Sequence, residues 1–195
     1  MKKAGAAHVE MILAFVLFVG FVVFLLNTLQ PYKKDILQDS ILESLSNKFI
    51  SSVETNLTKV LVENQTDTCK PNEISGNAIV GNKDGNFFYV YFSPEFPVSS
   101  FQNCQGDYKI GYINSQIVLS NKSLEEIKLN YSSDYKNLRK NMGLPTTVDF
   151  SVIAGDYTLE KTIPENVQIK TISKREKVLY SNGTLVGKDF IFKIW

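Results

Sequence analysis

Few residues in this chain have the types and spacing that catalysis requires. His8 is the only histidine, and Cys69 and Cys104 are the only cysteines among 195 residues. A Ser-His-Asp or Cys-His relay needs a histidine to carry the proton, and His8 sits beside a long apolar run. One His and two Cys cannot supply the four ligands of a structural zinc site. The carboxylates Asp149, Asp156, Glu160 and Glu165 invite comparison with a glycosidase pair. They fall on expected turns and strand ends, where solvated charges normally sit. The turn Gly81-Asn82-Lys83-Asp84-Gly85 resembles a calcium loop only in part. Its first ligand position would be Val80 and no closing Glu follows, which rules out an EF-hand. The expectation is no catalytic residue, no metal and no cofactor. Lys+Arg number 21 against 20 Asp+Glu, a net charge of +1, so a generic nucleic-acid binder is not expected either.

The elements that would position any site are more informative. Residues 11–26 read MILAFVLFVGFVVFLL, sixteen side chains without a polar group. With its flanks, 6–29, the segment reaches roughly 36 Å as a helix, enough to cross a hydrocarbon layer of about 30 Å. The alternative, a buried core helix, normally keeps a polar face. A secretory signal would place small residues after the run, but Asn27-Thr28-Leu29-Gln30-Pro31 follows it. The small residues Ala4-Gly5-Ala6-Ala7 come before it, behind Lys2 and Lys3. A peptidase cutting there leaves the apolar helix on the mature chain. Glu10 lies directly against the run, where a carboxylate at membrane depth costs about 2.5–3.5 kcal/mol unless paired. After a cut between Gly5 and Ala6, Glu10 becomes the fifth residue and Ala6 carries a new α-amine. In staggered parallel helices Glu10 of one copy reaches that amine on its neighbour, neutralising both charges. The alternative is a Glu solvated at headgroup level.

The series Lys2-Lys3-Ala4-Gly5, then Ala6-Ala7-His8-Val9-Glu10 and the apolar run, resembles the class III leader of type IV pilins and archaellins, archaeal members in particular. The resemblance covers about the first thirty residues. It implies cleavage by a prepilin peptidase on the cytoplasmic side and packing of the retained helix in a filament core. The archaeal pattern prefers a basic residue directly before the small residue at the cut, here Lys3-Ala4, which would make Glu10 the sixth residue. The Glu spacing favours the Gly5–Ala6 bond.

Beyond Leu29 the helical period continues through Ile36, Leu37, Ile41, Leu45, Phe49, Val53, Leu57, Val60 and Leu61. This predicts one helix over 6–62, transmembrane over 6–29, amphipathic over 32–62 and kinked near Pro31. Phe15, Phe18, Phe21 and Phe24 beside Gly20 suit helix-on-helix packing, since glycine admits close approach; they suit lipid equally. From 63 to 195 the pattern is β-rich. A hairpin is expected over 76–80 and 86–92, short strands over 108–113 and 116–119, then a capping box at Ser123–Glu126 opening a short helix. A second helix capped by Ser133 should stop at Gly143 and Pro145. Strands are expected over 147–153, 167–173, 177–180 and 185–195, with Asn182-Gly183 as a turn in which both residues need positive φ. The predicted fold class is α+β: a leader over 1–5, a long helix, and an antiparallel β-rich head with two short helices.

Cys69 and Cys104 are an even pair, and in an exported domain they read as a disulfide; the alternative is two unpaired thiols. Sequons stand at Asn56, Asn64, Asn121, Asn130 and Asn182, possible N-glycosylation sites that agree with export. With Lys2 and Lys3 inside, the head is expected outside the cytoplasmic membrane and at the cell surface. The expected function is a pilin-like structural subunit, not an enzyme. Its partners would be other pilin-like subunits, the prepilin peptidase, the assembly platform and the membrane. The alternative is a single-pass surface adhesion protein that never polymerises.

Overall fold

The computed structural model describes residues 4–64, 76–99 and 108–195. The fold class is α+β: a long N-terminal helix, then a mixed β-sheet with two short helices. The chain divides into two compact units, Met1–Ile41 and Leu42–Trp195.

Helix α1 (Ala4–Val53) runs through Pro31. Within the first unit most described apolar side chains lie open: Met11, Ile12, Phe15, Leu17, Phe18, Phe21 and Phe24 are all exposed, and Val22 is half-buried. The last turns of α1 belong to the second unit and behave differently. Leu42, Leu45, Ser46, Phe49 and Val53, spaced three or four apart, are buried, because this spacing lines one face of a 3.6-residue helix.

The helix ends at Val53, nine residues before the expected end, and strand β1 (Glu54–Asn64) begins at once. The second compact unit therefore begins with Leu42 in the helix rather than at residue 63. Val53, Leu57, Val60 and Leu61 fit a helical step, but they also fit a twisted strand. Local β-branching favours the strand: Thr55, Thr58, Val60 and Val62 crowd a helix and suit a pleated sheet.

The further strands are β2 (Gly76–Asp84), β3 (Phe87–Phe92), β4 (Val98–Ser99), β5 (Tyr108–Ser120), β6 (Phe150–Ala154), β7 (Tyr157–Leu159), β8 (Lys170–Leu179) and β9 (Leu185–Ile194). Among the described residues they form one sheet, ordered β4-β2-β3-β1-β5-β8-β9-β6-β7. The sheet is mixed rather than antiparallel throughout. β5 and β8 run parallel and pair at Leu119↔Val178 and Ser120↔Leu179. A parallel pair needs a long crossover, and here it holds helices α2 (Asn121–Ser133) and α3 (Tyr135–Asn141) with β6 and β7.

Phe49 joins α1 to this sheet. Its ring centroid lies 5.5 Å from that of Phe192, nearly edge-on, and 6.4 Å from that of Phe190. A second core gathers Leu57, Phe96, Val118 and Leu179, and a third gathers Val62, Ala78, Phe88 and Val90.

Local details shift several expected boundaries. β5 is one strand across the expected break at Asn114-Ser115, and β8 is continuous through Lys174-Arg175-Glu176. β8 pairs with β9 along its length but meets β5 at only two positions, so its charged side chains remain wet. The cap of α2 is Ser120, whose Oγ accepts from the Ser123 N–H at 2.9 Å; the strand leads straight into the helix, leaving Ser123 inside the first turn. Asp134, not Ser133, caps α3, while Ser133 Oγ donates back to the Leu129 carbonyl. In the β8–β9 turn only Gly183 has positive φ, +84°. Its N–H donates to the Tyr180 carbonyl, and the Tyr180 N–H donates to the Thr184 carbonyl. This makes a three-residue loop closed by a left-handed glycine.

Candidate functional site

The strongest candidate is the apolar stretch of α1. Among the described residues one helical segment is long and apolar enough to cross a membrane, Glu10–Thr28, with mean hydropathy 2.6 and none of that window buried within the chain. Soluble monomers seldom expose contiguous apolar patches beyond a few hundred Å². Water is a poor solvent for such a surface, so lipid or other helices suit it better. Thr28 Oγ1 donates to the Phe24 carbonyl at 2.8 Å, satisfying its hydroxyl within the helix, as a low-dielectric setting requires.

Glu10 stands exposed at the head of this stretch. A Cβ built on Gly20 meets nothing within 4 Å, so no contact described within the chain calls for glycine there. Phe15, Phe18, Phe21 and Phe24 are 59–66% exposed. Of the processing residues, Ala4, Gly5 and Ala6 open α1 as helical backbone, while Lys2 and Lys3 lie outside the described residues. Cys69 and Cys104 also lie outside them, and with them the expected disulfide.

The sequons separate by setting. Asn56, Asn130 and Asn182 are exposed, and Asn121 is half-buried in the first turn of α2. Asn64 closes β1, its side chain outside the described set. Asn182 Oδ1 accepts from the Thr184 N–H at 3.0 Å. Asn56 and Thr58 line an open cleft of about 430 Å³ with Asn77, Phe92, Ser93 and Pro94. Among the described residues this wall carries amides and hydroxyls but no ionisable group. Among the described residues no group of three or more His, Cys, Asp or Glu is placed to hold a metal ion.

One cluster departs from its sequence reading. Asp149 is not a simply solvated charge. Its carboxylate accepts from Tyr135 Oη at 2.8 Å and from Lys161 Nζ at 2.7 Å, with Arg139 Nη1 at 3.5 Å. Burial works against its ionisation, but those hydrogen bonds and the charges of Lys161 and Arg139 together hold its pKa below the ordinary value. Burial first, then the nearby Asp149, pushes the phenols of Tyr131 and Tyr135 up. Tyr131 Oη donates to the Phe150 carbonyl, and the rings of Tyr131, Tyr135 and Phe150 pack together. The i, i+4 spacing of Tyr135 and Arg139 on α3 was the available signal. The cluster clamps α2 and α3 to β6.

No protein-family model, curated protein or solved structure matches this chain.

Proposed function

We propose that the chain is a pilin-like structural subunit of a cell-surface filament or related assembly. Its helix is held in the cytoplasmic membrane before assembly and its β-rich head faces outward. One observation carries the reading: a 50-residue helix holds a nineteen-residue, membrane-length window, Glu10–Thr28, with none of it buried within the chain, while its last turns are buried in the second unit. A helix used in this way needs an environment outside the chain. The leader-like residues Lys2 to Ala6, the exposed Glu10 and the unburdened Gly20 support the same reading. On this view Glu10 pairs with the α-amine of Ala6 in a neighbouring copy after cleavage. A prepilin peptidase and an assembly platform are the partners, and the subunit performs no chemistry of its own.

The test is Glu10→Ala in natively expressed protein, scored by electron microscopy of the cell surface with antibody to the head. Filaments should be lost while the chain still inserts in the membrane. Filaments that persist unchanged would sink the pairing. A chain that inserts, with Glu10→Ala silent and no filament in the wild type, would favour a single-pass adhesion protein. Mass spectrometry should find a mature amino terminus at Ala6; an intact Met1 would refute processing.

A further inference from the structure

The four strands β2, β3, β1 and β5 form an antiparallel arm whose two outer edges are largely unpaired among the described residues. Along β5, residues 108–118 pair with β1 on one side and have no strand on the other among the described residues. β4 covers β2 only at Gly76 and Asn77, which leaves 79–84 without a second strand among the described residues. Open edges usually carry charge or proline to block pairing. Residues 110–119 of β5 contain neither, and Ile110, Tyr112 and Ile113 are 57–69% exposed.

The cross-strand rows relate the two edges. Asp84 pairs Phe87, Phe87 pairs Glu63 and Glu63 pairs Lys109. The next row runs Lys83, Phe88, Val62, Ile110. After an irregularity the rows resume as Val80, Val90, Val60, Ile113 and as Ile79, Tyr91, Lys59, Asn114. At the irregularity β2 inserts Gly81-Asn82 and β5 inserts Gly111-Tyr112, where the inner strands have one residue each, Tyr89 and Leu61. The two edges therefore carry the same extra residue at the same level. Because β2 runs antiparallel to β5, a copy displaced sideways along the sheet would set its β2 edge against the β5 edge in an unbroken ladder. Asp84 falls opposite Lys109, Gly81 opposite Tyr112, Val80 opposite Ile113 and Ile79 opposite Asn114. The only charged side chain on the β5 edge segment 109–119 meets an opposite charge, and a glycine meets the bulkiest residue.

We infer that the heads of neighbouring copies join by adding the β2 edge of one to the β5 edge of the next. The contact is heterologous and open-ended, so it propagates along a row of subunits. Pairing β5 with β5 of a second copy would bring no acid from the added strand to Lys109, whose own-chain cross-strand neighbour is Glu63. The inference rests on the reading of an assembling subunit and deepens it by naming the head-to-head contact.

The test mixes ¹⁴N- and ¹⁵N-labelled full-length chain, reconstituted in vesicles, with a zero-length carbodiimide cross-linker. Within one copy Asp84 and Lys109 lie three strand spacings apart, about 14 Å, too far to be joined. An Asp84–Lys109 link of mixed isotope should form, with Asp149–Lys161, 2.7 Å apart within one copy, as the internal control. K109E and D84K should each lower self-association about two- to fivefold, as cross-strand charge pairs do, and the combined K109E/D84K chain should recover it. Absence of the mixed link while the control forms overturns the inference, as does failure of the combined chain to recover. Loss of the link with Glu10-dependent filaments intact would refute this contact alone. Its presence when Glu10→Ala is silent would refute the stem pairing alone.

Discussion

Phe49→Ala is the sharpest probe of how the last turns of α1 are packed in the second unit. Phe49 is fully buried on the sheet side of α1, against Phe190 and Phe192. Truncating a buried Phe costs about 3–5 kcal/mol, combining lost transfer energy with the cavity left behind; the edge-on contact with Phe192 places this site toward the upper end. For a head of this size each kcal/mol lowers the melting temperature by about 2–4 °C, so the loss should be about 6–20 °C. The assay is thermal unfolding of the full-length chain in detergent micelles. Near-ultraviolet circular dichroism reports aromatic packing in the head, and the signal at 222 nm reports helix. The near-ultraviolet transition should move down while most of the helical signal survives, since the exposed apolar stretch draws its order from the micelle and its own hydrogen bonds. Leu37→Ala, at a residue 62% exposed, is the matched control and should change stability by under about 0.5 kcal/mol. A Phe49→Ala shift below about 2 °C, or one equal to that of Leu37→Ala, would refute the claim that the end of α1 is part of the head's core.

Two further outcomes follow from the head. Asp149 has a lowered pKa in the folded chain, so its contribution to stability is present above the ordinary carboxylate value of about 4 and is lost as pH falls through the folded value. Unfolding in urea at pH 7 and pH 3 should show a steeper acid loss for the wild type than for Asp149→Asn; equal slopes would contradict the clamp. Ser120→Ala removes the oxygen that accepts from the Ser123 N–H and should cost about 1 kcal/mol, the usual worth of an N-cap; the same change at Ser123, if equally costly, would mean that the cap is misplaced.

Some features were legible because they depend on residues adjacent in sequence. The apolar run at 11–26 dictates an exposed, membrane-length helix by composition alone, and no tertiary contact is needed to produce it. The two short helices and the stop at Gly143, whose φ is +75°, were likewise readable, although their caps are Ser120 and Asp134 rather than Ser123 and Ser133, and so was the first hairpin from its closing Gly85. The end of α1 was not readable from apolar spacing. Leu57, Val60 and Leu61 continue the helical step from Val53 yet also fit a strand, and the choice goes to the strand because both flanks of β1 are taken up by β3 and β5, which supply the backbone partners a helix would otherwise find locally. The Asp149 clamp depends on Tyr135 and Arg139 of α3 meeting Lys161 and Asp149 from other segments. The parallel β5–β8 contact likewise joins residues nearly sixty positions apart. Local sequence sets propensity and solvent preference over a few turns of chain. Which strand lies beside which, and therefore which edges remain open and which charges face one another, is decided only when distant segments compete for the same hydrogen bonds and the same buried surface.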